Sequence, residues 1–225
     1  MEKGIQIAID GPAAAGKSTI AKITANKLGY TYIDTGAMYR ALTYKALKEH
    51  IDVYDDDALS SLLERIDIEL LPTEEGQSVR VDDEDVTEEI RSQEVTSNVS
   101  ATAAQPRVRE IMVEKQRLLA NTKGVVMDGR DIGTAVLPDA ELKIFMTASV
   151  EERAARRFVE NTKRGIDRSM EELCQDIANR DKADTERIAS PLKQASDAIF
   201  IDTTSMSIEQ VADTIIHHAE KRKRP

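Results

Sequence analysis

The chain is poor in the residues that would tie it to an oxidising compartment, a membrane or a metal cluster. One cysteine in 225 residues, Cys174, excludes an internal disulfide and fits a reducing compartment. It falls in an apolar helical pattern with Met170, Leu173 and Ile177, so packing is its expected role. Three histidines, two of them the adjacent His217 and His218, lack the spacing of a metal site. There is no signal-peptide pattern and no apolar run of membrane length, so a cytoplasmic protein without a membrane partner is expected. Positive charge is also in deficit. Lys and Arg number 31 against 41 Asp and Glu, a net charge of −10, which argues against a nucleic-acid partner. The one basic run, Lys221 to Arg224, reads as a solvated helix end with cations near the negative pole of its helix. Internal repeats and low-complexity tracts are missing as well.

What the chain does have is Gly11-Pro12-Ala13-Ala14-Ala15-Gly16-Lys17-Ser18, which meets G-x-x-x-x-G-K-[ST] at every fixed position. The context fits too. Ile5 to Ile9 reads as a buried strand, and Ile20, Ile23 and Leu28 recur at helical spacing before Gly29. Strand, glycine loop and helix start together cradle the phosphates of a nucleotide, because backbone N–H groups turn inward and the helix pole adds positive charge. Lys17 is expected to reach the outer phosphates and the Ser18 hydroxyl to ligate Mg²⁺. The guanine-reading and γ-phosphate-sensing patterns of GTPase switches, N-K-x-D and D-x-x-G, do not occur. The nearest, Asn26-Lys27-Leu28-Gly29, ends in glycine.

Further strands are expected at 30–33, 124–128, 142–146 and 198–201, each a short apolar run separated from the next by helical stretches. Helices are expected at 17–28, 37–49, 107–121, 151–162, 170–188 and 207–221, with Asp34 and Ser149 as caps of the second and fourth. The predicted fold is therefore α/β, a five-stranded parallel sheet flanked by helices. Two stretches depart from the βα rhythm. Residues 55–103 open with a short helix from Ala58 to Arg65, alternate over Ile66 to Leu70, turn at Gly76 and continue through Ser78 to Val81. They read as a hairpin-bearing subdomain inserted in a core of 1–54, 104–150 and 189–225. Residues 151–188 are helical and arginine-dense, with Arg153, Arg156, Arg157, Arg164, Arg168, Arg180 and Arg187, and Gly165 as a hinge or tip.

Three more constellations carry chemistry. Asp34-Thr35-Gly36-Ala37-Met38-Tyr39-Arg40 follows a strand and opens a helix, so it can hold a second anion, with Arg40 forking onto a phosphate. Asp128-Gly129-Arg130-Asp131-Ile132-Gly133-Thr134 falls at the carboxyl end of a core strand, where ligands bind in open parallel sheets, and Asp128 is expected to hold Mg²⁺ or its water. In Arg180-Asp181-x-x-Asp184-x-x-Arg187 the charges recur at three and four residues, along one side of a helix. Phosphoryl transfer needs such cations, because charge spreads over the equatorial oxygens of the migrating group, and a mobile flap can bring them in while excluding water.

Together with Pro106-Arg107-Val108-Arg109, these motifs resemble, in order and spacing, the bacterial cytidylate kinase family, over nearly the whole chain. The resemblance implies a P-loop kinase core, an inserted NMP-binding domain at 55–103 and a lid at 151–188. It implies ATP with Mg²⁺ as donor and CMP or dCMP as acceptor, with a monomer as the expected form. Gly11 to Ser18 and the adjacent Thr19 would bind ATP, and Arg153 and Arg157 would flank it. Ser18 and Asp128 would serve the metal. Thr35, Arg40, Arg130 and Arg187 would hold the acceptor phosphate, Arg180 and Asp184 the ribose, and Ser100, Arg109 and Asp131 the cytosine. Lys17, Arg130, Arg180 and Arg187 form the implied catalytic set. Cytosine presents an amine where uracil presents an acceptor, so a carboxylate at Asp131 should favour CMP over UMP. A shikimate-type P-loop kinase would share the chemistry, but the 55–103 insertion and D-G-R-D argue against it.

Overall fold

A computed structural model describes residues 4–73, 76–121, 124–163 and 165–223; Arg164 and Arg224 of the basic segments lie outside the described residues. In chain order the elements begin with β1 (Gln6–Asp10), α1 (Lys17–Leu28), β2 (Thr31–Asp34) and α2 (Thr35–Lys48). Next come α3 (Asp56–Arg65), β3 (Ile68–Thr73), β4 (Gly76–Val81), β5 (Glu84–Asp85) and α4 (Gln93–Thr102). The chain continues with α5 (Pro106–Leu119), β6 (Val125–Gly129), β7 (Leu142–Thr147), α6 (Val150–Lys163) and α7 (Met170–Glu186), and then β8 (Ile199–Asp202) and α8 (Ile208–Lys223).

Strands that are covered on both faces have no polar side to show, and this is why short aliphatic runs predict them. Ile7, Ile9, Val125, Val126 and Leu142 are fully enclosed. Five strands pair in parallel in the order β2-β6-β1-β7-β8, the α/β fold expected. Helices α1 and α8 cover one face through Ile20, Ala21, Ile215 and Ala219. The other face packs Ala8, Ile33 and Met127 against Ala120 and the single π-turn Ile132–Val136. The parallel register sets Asp34 beside Asp128 and Asp10 beside Gly129, so three strands deliver carboxylates to the same sheet end.

The expected caps are present. The Asp34 carboxylate accepts from the Ala37 N–H at 2.9 Å, and Ser149 Oγ accepts from the Glu152 N–H at 3.1 Å. Helix α7 opens on a capping box between Ser169 and Glu172. The β3–β4 hairpin forms as expected, with Leu70 opposite Val79, and β5 adds an unexpected third strand of two exposed acidic residues. Leu59, Leu62 and Leu63 of α3, Val79 and Val81 of β4 and Val99 of α4 share one apolar cluster with Met38 and Leu42 of α2 and Met112 of α5. Helices α6 and α7 join through a far smaller cluster, Ala154, Leu173 and Ile177, against which Cys174 is partly buried. Among the described residues no helix is long and apolar enough to cross a membrane.

Candidate active site

The loop after β1 is shaped by two glycines. Gly11 has φ +152°, and a Cβ there would lie 2.0 Å from the Met146 carbonyl oxygen on β7, so no side chain fits. Gly16, at φ +85°, turns the chain into the N-terminus of α1. Ala13 to Thr19 line a cleft of about 890 Å³, whereas Gly11 and Pro12, the first residues of the loop, do not. Lys17 is buried, with Nζ donating to the Pro12 carbonyl at 2.7 Å. Burial, and next the Arg130 guanidinium, pull its ammonium down to about 7, against the opposing pull of Asp128 and Asp10.

Every acceptor-side residue singled out in the sequence lines this same cleft: Thr35, Arg40, Ser100, Arg109, Arg130, Asp131, Arg180, Asp184 and Arg187. Their charges do not balance locally. Arg180 is lowered to about 10, first by burial and then by repulsion from Arg130, Arg40 and Arg157, and its Nε has no hydrogen-bond partner. Arg40 Nε is likewise unpartnered, although Arg40 also pairs with Asp34 at 3.0 Å. Arg130 Nε donates to Asp184 Oδ2 at 2.8 Å. Burial alone would lift Asp184, but Arg130 and Arg180 outweigh it and hold the carboxyl below its usual range. Buried cations that repel one another and keep N–H groups in reserve make a basin suited to phosphate.

At the inner end lies a buried pair. Arg109 donates to Asp131 Oδ2 and, at 2.9 Å, to the Ala103 carbonyl, and its guanidinium lies 5.3 Å from the centroid of the Tyr39 ring. Arg187 approaches the other oxygen of Asp131 at 3.8 Å. A carboxylate and a guanidinium fixed side by side and opening on the cleft present an acceptor and donors to a flat, polar-edged ligand.

The residues expected to serve a metal are adjacent. Ser18 Oγ donates to Asp128 Oδ2 at 2.9 Å, and Tyr32 Oη donates to Oδ1 at 2.8 Å. Burial, then the charge of Asp34, push the Asp128 carboxyl up to about 6. One hydroxyl and one carboxylate beside a phosphate site suit a hard cation that takes its remaining ligands from phosphate and water, the way Mg²⁺ is held. Among the described residues no group of three or more His, Cys, Asp or Glu makes a protein-only metal cage.

Several residues at the site carry weak sequence signals. Asp10 belongs to none of the motifs; it is buried, accepts from the Ile132 and Gly133 N–H groups at 2.8 and 2.7 Å, and is raised by burial to about 7. Arg91 lines the cleft with its Nε unpartnered. Arg156, noted only as one of a dense series, donates to the Ala15 carbonyl at 3.3 Å and to the Thr203 carbonyl at 3.0 Å. Arg153 differs from expectation. It is 5% exposed, its guanidinium bonds the Ala148 and Ala13 carbonyls and both Asp181 oxygens, and it does not line the cleft, whereas Arg157 does. Sequence spacing treats these two arginines alike; burial separates them.

Known proteins give this geometry a context. The cytidylate kinase family model matches residues 7–221. The chain is 58% identical over 224 residues to the cytidylate kinase of Bacillus subtilis (strain 168), with 100% of each chain covered. It is 60% identical over 224 residues to the cytidylate kinase of Bacillus velezensis, again with 100% of each covered. Among solved structures, an uncharacterized protein from Eubacterium ventriosum aligns with a TM-score of 0.53 at 14% identity, covering 96% of this chain and 98% of that one. That identity speaks to the fold alone.

Proposed function

The chain belongs to the cytidylate kinase family of nucleoside monophosphate phosphotransferases, and on that premise we propose that it transfers the γ-phosphoryl group of ATP to CMP or dCMP, giving ADP and CDP or dCDP in pyrimidine nucleotide metabolism. The observation that carries the reading is the cationic cleft, where Lys17, Arg40, Arg130 and Arg180 converge, burial and neighbouring guanidinium groups lower Lys17 and Arg180, and the Nε atoms of Arg40 and Arg180 lack partners.

In this reading the N–H groups of residues 13–19, which line the cleft, and the Lys17 ammonium hold the donor phosphates. Arg157 closes over them from the lid, 151–188. Thr35, Arg40, Arg130 and Arg187 orient the acceptor phosphate for in-line attack, and Arg180 with Asp184 engages the ribose. A phosphate monoester is already an anionic nucleophile near neutral pH, so no general base is needed and positioning dominates. Asp131 accepts from the cytosine amine while Arg109 donates to the ring acceptors, with Ser100 beside them; uracil would set its carbonyl against the carboxylate. Ser18 and Asp128 would hold Mg²⁺ or its water, and the ion would supply positive charge to the donor phosphates. The insert, 55–103, carries Ser100 and Arg91 against the acceptor. We place the enzyme in the cytoplasm as a monomer, consistent with its single free cysteine and with a lid that must close.

The test is ADP formation from ATP·Mg²⁺ with CMP, dCMP, UMP, AMP, GMP or shikimate offered separately. Strong turnover with CMP and dCMP is expected. Preference for another acceptor would discard Asp131 and Arg109 as base readers, and hydrolysis indifferent to every acceptor would discard kinase chemistry.

A further inference from the structure

We propose that Tyr32 is a positioning residue for Asp128: its hydroxyl fixes the carboxylate in the orientation in which it and Ser18 serve one divalent cation. The inference rests on the reading of Ser18 and Asp128 given above and adds a residue which the motifs do not contain.

Strands β2 and β6 run in parallel with Tyr32 opposite Val126 and Asp34 opposite Asp128. Tyr32 therefore starts two residues short of Asp128, and a long side chain is needed to span that diagonal. Its phenol covers the distance and donates to Oδ1 at 2.8 Å, while Ser18 Oγ donates to Oδ2 at 2.9 Å. Each carboxylate oxygen thus has one donor, and the group cannot rotate about its Cβ–Cγ bond without losing one of them. An ionised carboxylate has about four acceptor positions, so two remain for a cation or its water.

The phenol is itself held. The Lys22 ammonium, one turn beyond Ser18 on α1, lies 5.8 Å from the ring centroid. The Gln77 side chain of β4 donates to the Tyr32 carbonyl at 2.9 Å and accepts from the Asp34 N–H at 3.2 Å, which pins the backbone on both sides of Ile33. Ring, backbone and hydroxyl all converge on one carboxylate. Groups that orient a metal-ligating carboxylate in this way tune its affinity for the metal, and losing one typically costs about tenfold or more.

The experiment compares ADP binding to full-length wild type and Tyr32→Phe by calorimetry, once with Mg²⁺ and once in EDTA. Phenylalanine keeps the ring, so the variant should fold, which a melting curve checks. The expected result is unchanged ADP affinity in EDTA together with loss of about tenfold of the Mg²⁺-dependent gain. The Mg²⁺ concentration for half-maximal activity should rise similarly with KM for CMP unchanged. A full Mg²⁺-dependent gain in Tyr32→Phe would overturn the proposal. Equal losses with and without Mg²⁺ would also overturn it, because they indicate packing alone. If wild type itself gained nothing from Mg²⁺, the Ser18–Asp128 reading would fail first, and this inference with it.

Discussion

Lys17 concentrates the chemistry of the cleft in one side chain. Burial and Arg130 bring its ammonium to about 7 in the free protein, whereas bound phosphate favours the charged form. Between its pKa in the free and in the phosphate-bound protein, binding must take up a proton, so affinity falls as pH rises, by up to about tenfold per pH unit from this group alone. Asp10, at about 7, and Asp128, at about 6, act in the same direction, since an arriving anion disfavours their charged forms. Calorimetry of metal-free ADP from about pH 6 to 9, in two buffers of unlike ionisation enthalpy, should report proton uptake. Lys17→Met should lose the slope above about pH 8. Affinity independent of pH would mean that Lys17 does not meet the phosphates. Most of these residues were legible in the chain because their motifs are short and contiguous. Asp10 was not, because a carboxylate ending a strand looks the same whether it faces solvent or, as here, caps the π-turn at Ile132.

The lid helices show how much an element can hide. Arg153 and Arg157 lie four residues apart on α6, yet their side chains are 5% and 33% exposed. Replacing Arg153 by Met strands Asp181 and two backbone carbonyls, and should cost about 3 kcal/mol in urea unfolding. Arg157→Met should cost under about 1 kcal/mol, as its pairing with Glu160 is a surface one, yet lower turnover severalfold. If the two variants were equally stable, the role given to Arg153 as a strut between α6, α7 and the phosphate loop would be wrong. Caps were legible where they follow an expected strand, as with Asp34 and Ser149, but not at Ser92, which opens the unexpected helix α4. Strand β5 was not, since Glu84 and Asp85 join the sheet by backbone pairing alone and carry no strand signal.

Across the whole molecule, apolar packing is unevenly shared. The 55–103 region is welded to α2 and α5 by a large buried cluster, while α6 and α7 rely on Ala154, Leu173 and Ile177. Amide exchange should therefore be fastest, among the helices, in α6 and α7, and slowest in α3 and α5. A non-hydrolysable ATP analogue with CMP should slow the lid selectively, and uniform protection would argue against a separately moving lid. The sheet order has a consequence for synthesis. Strand β1 occupies the middle of the sheet, and its partners begin only at Val125 and Leu142. An apolar strand leaves the ribosome early with both edges bare, and one stays bare until Leu142–Thr147 follows. The core must then close over long sequence separations, which slows folding and leaves the nascent chain dependent on whatever shields β1 meanwhile.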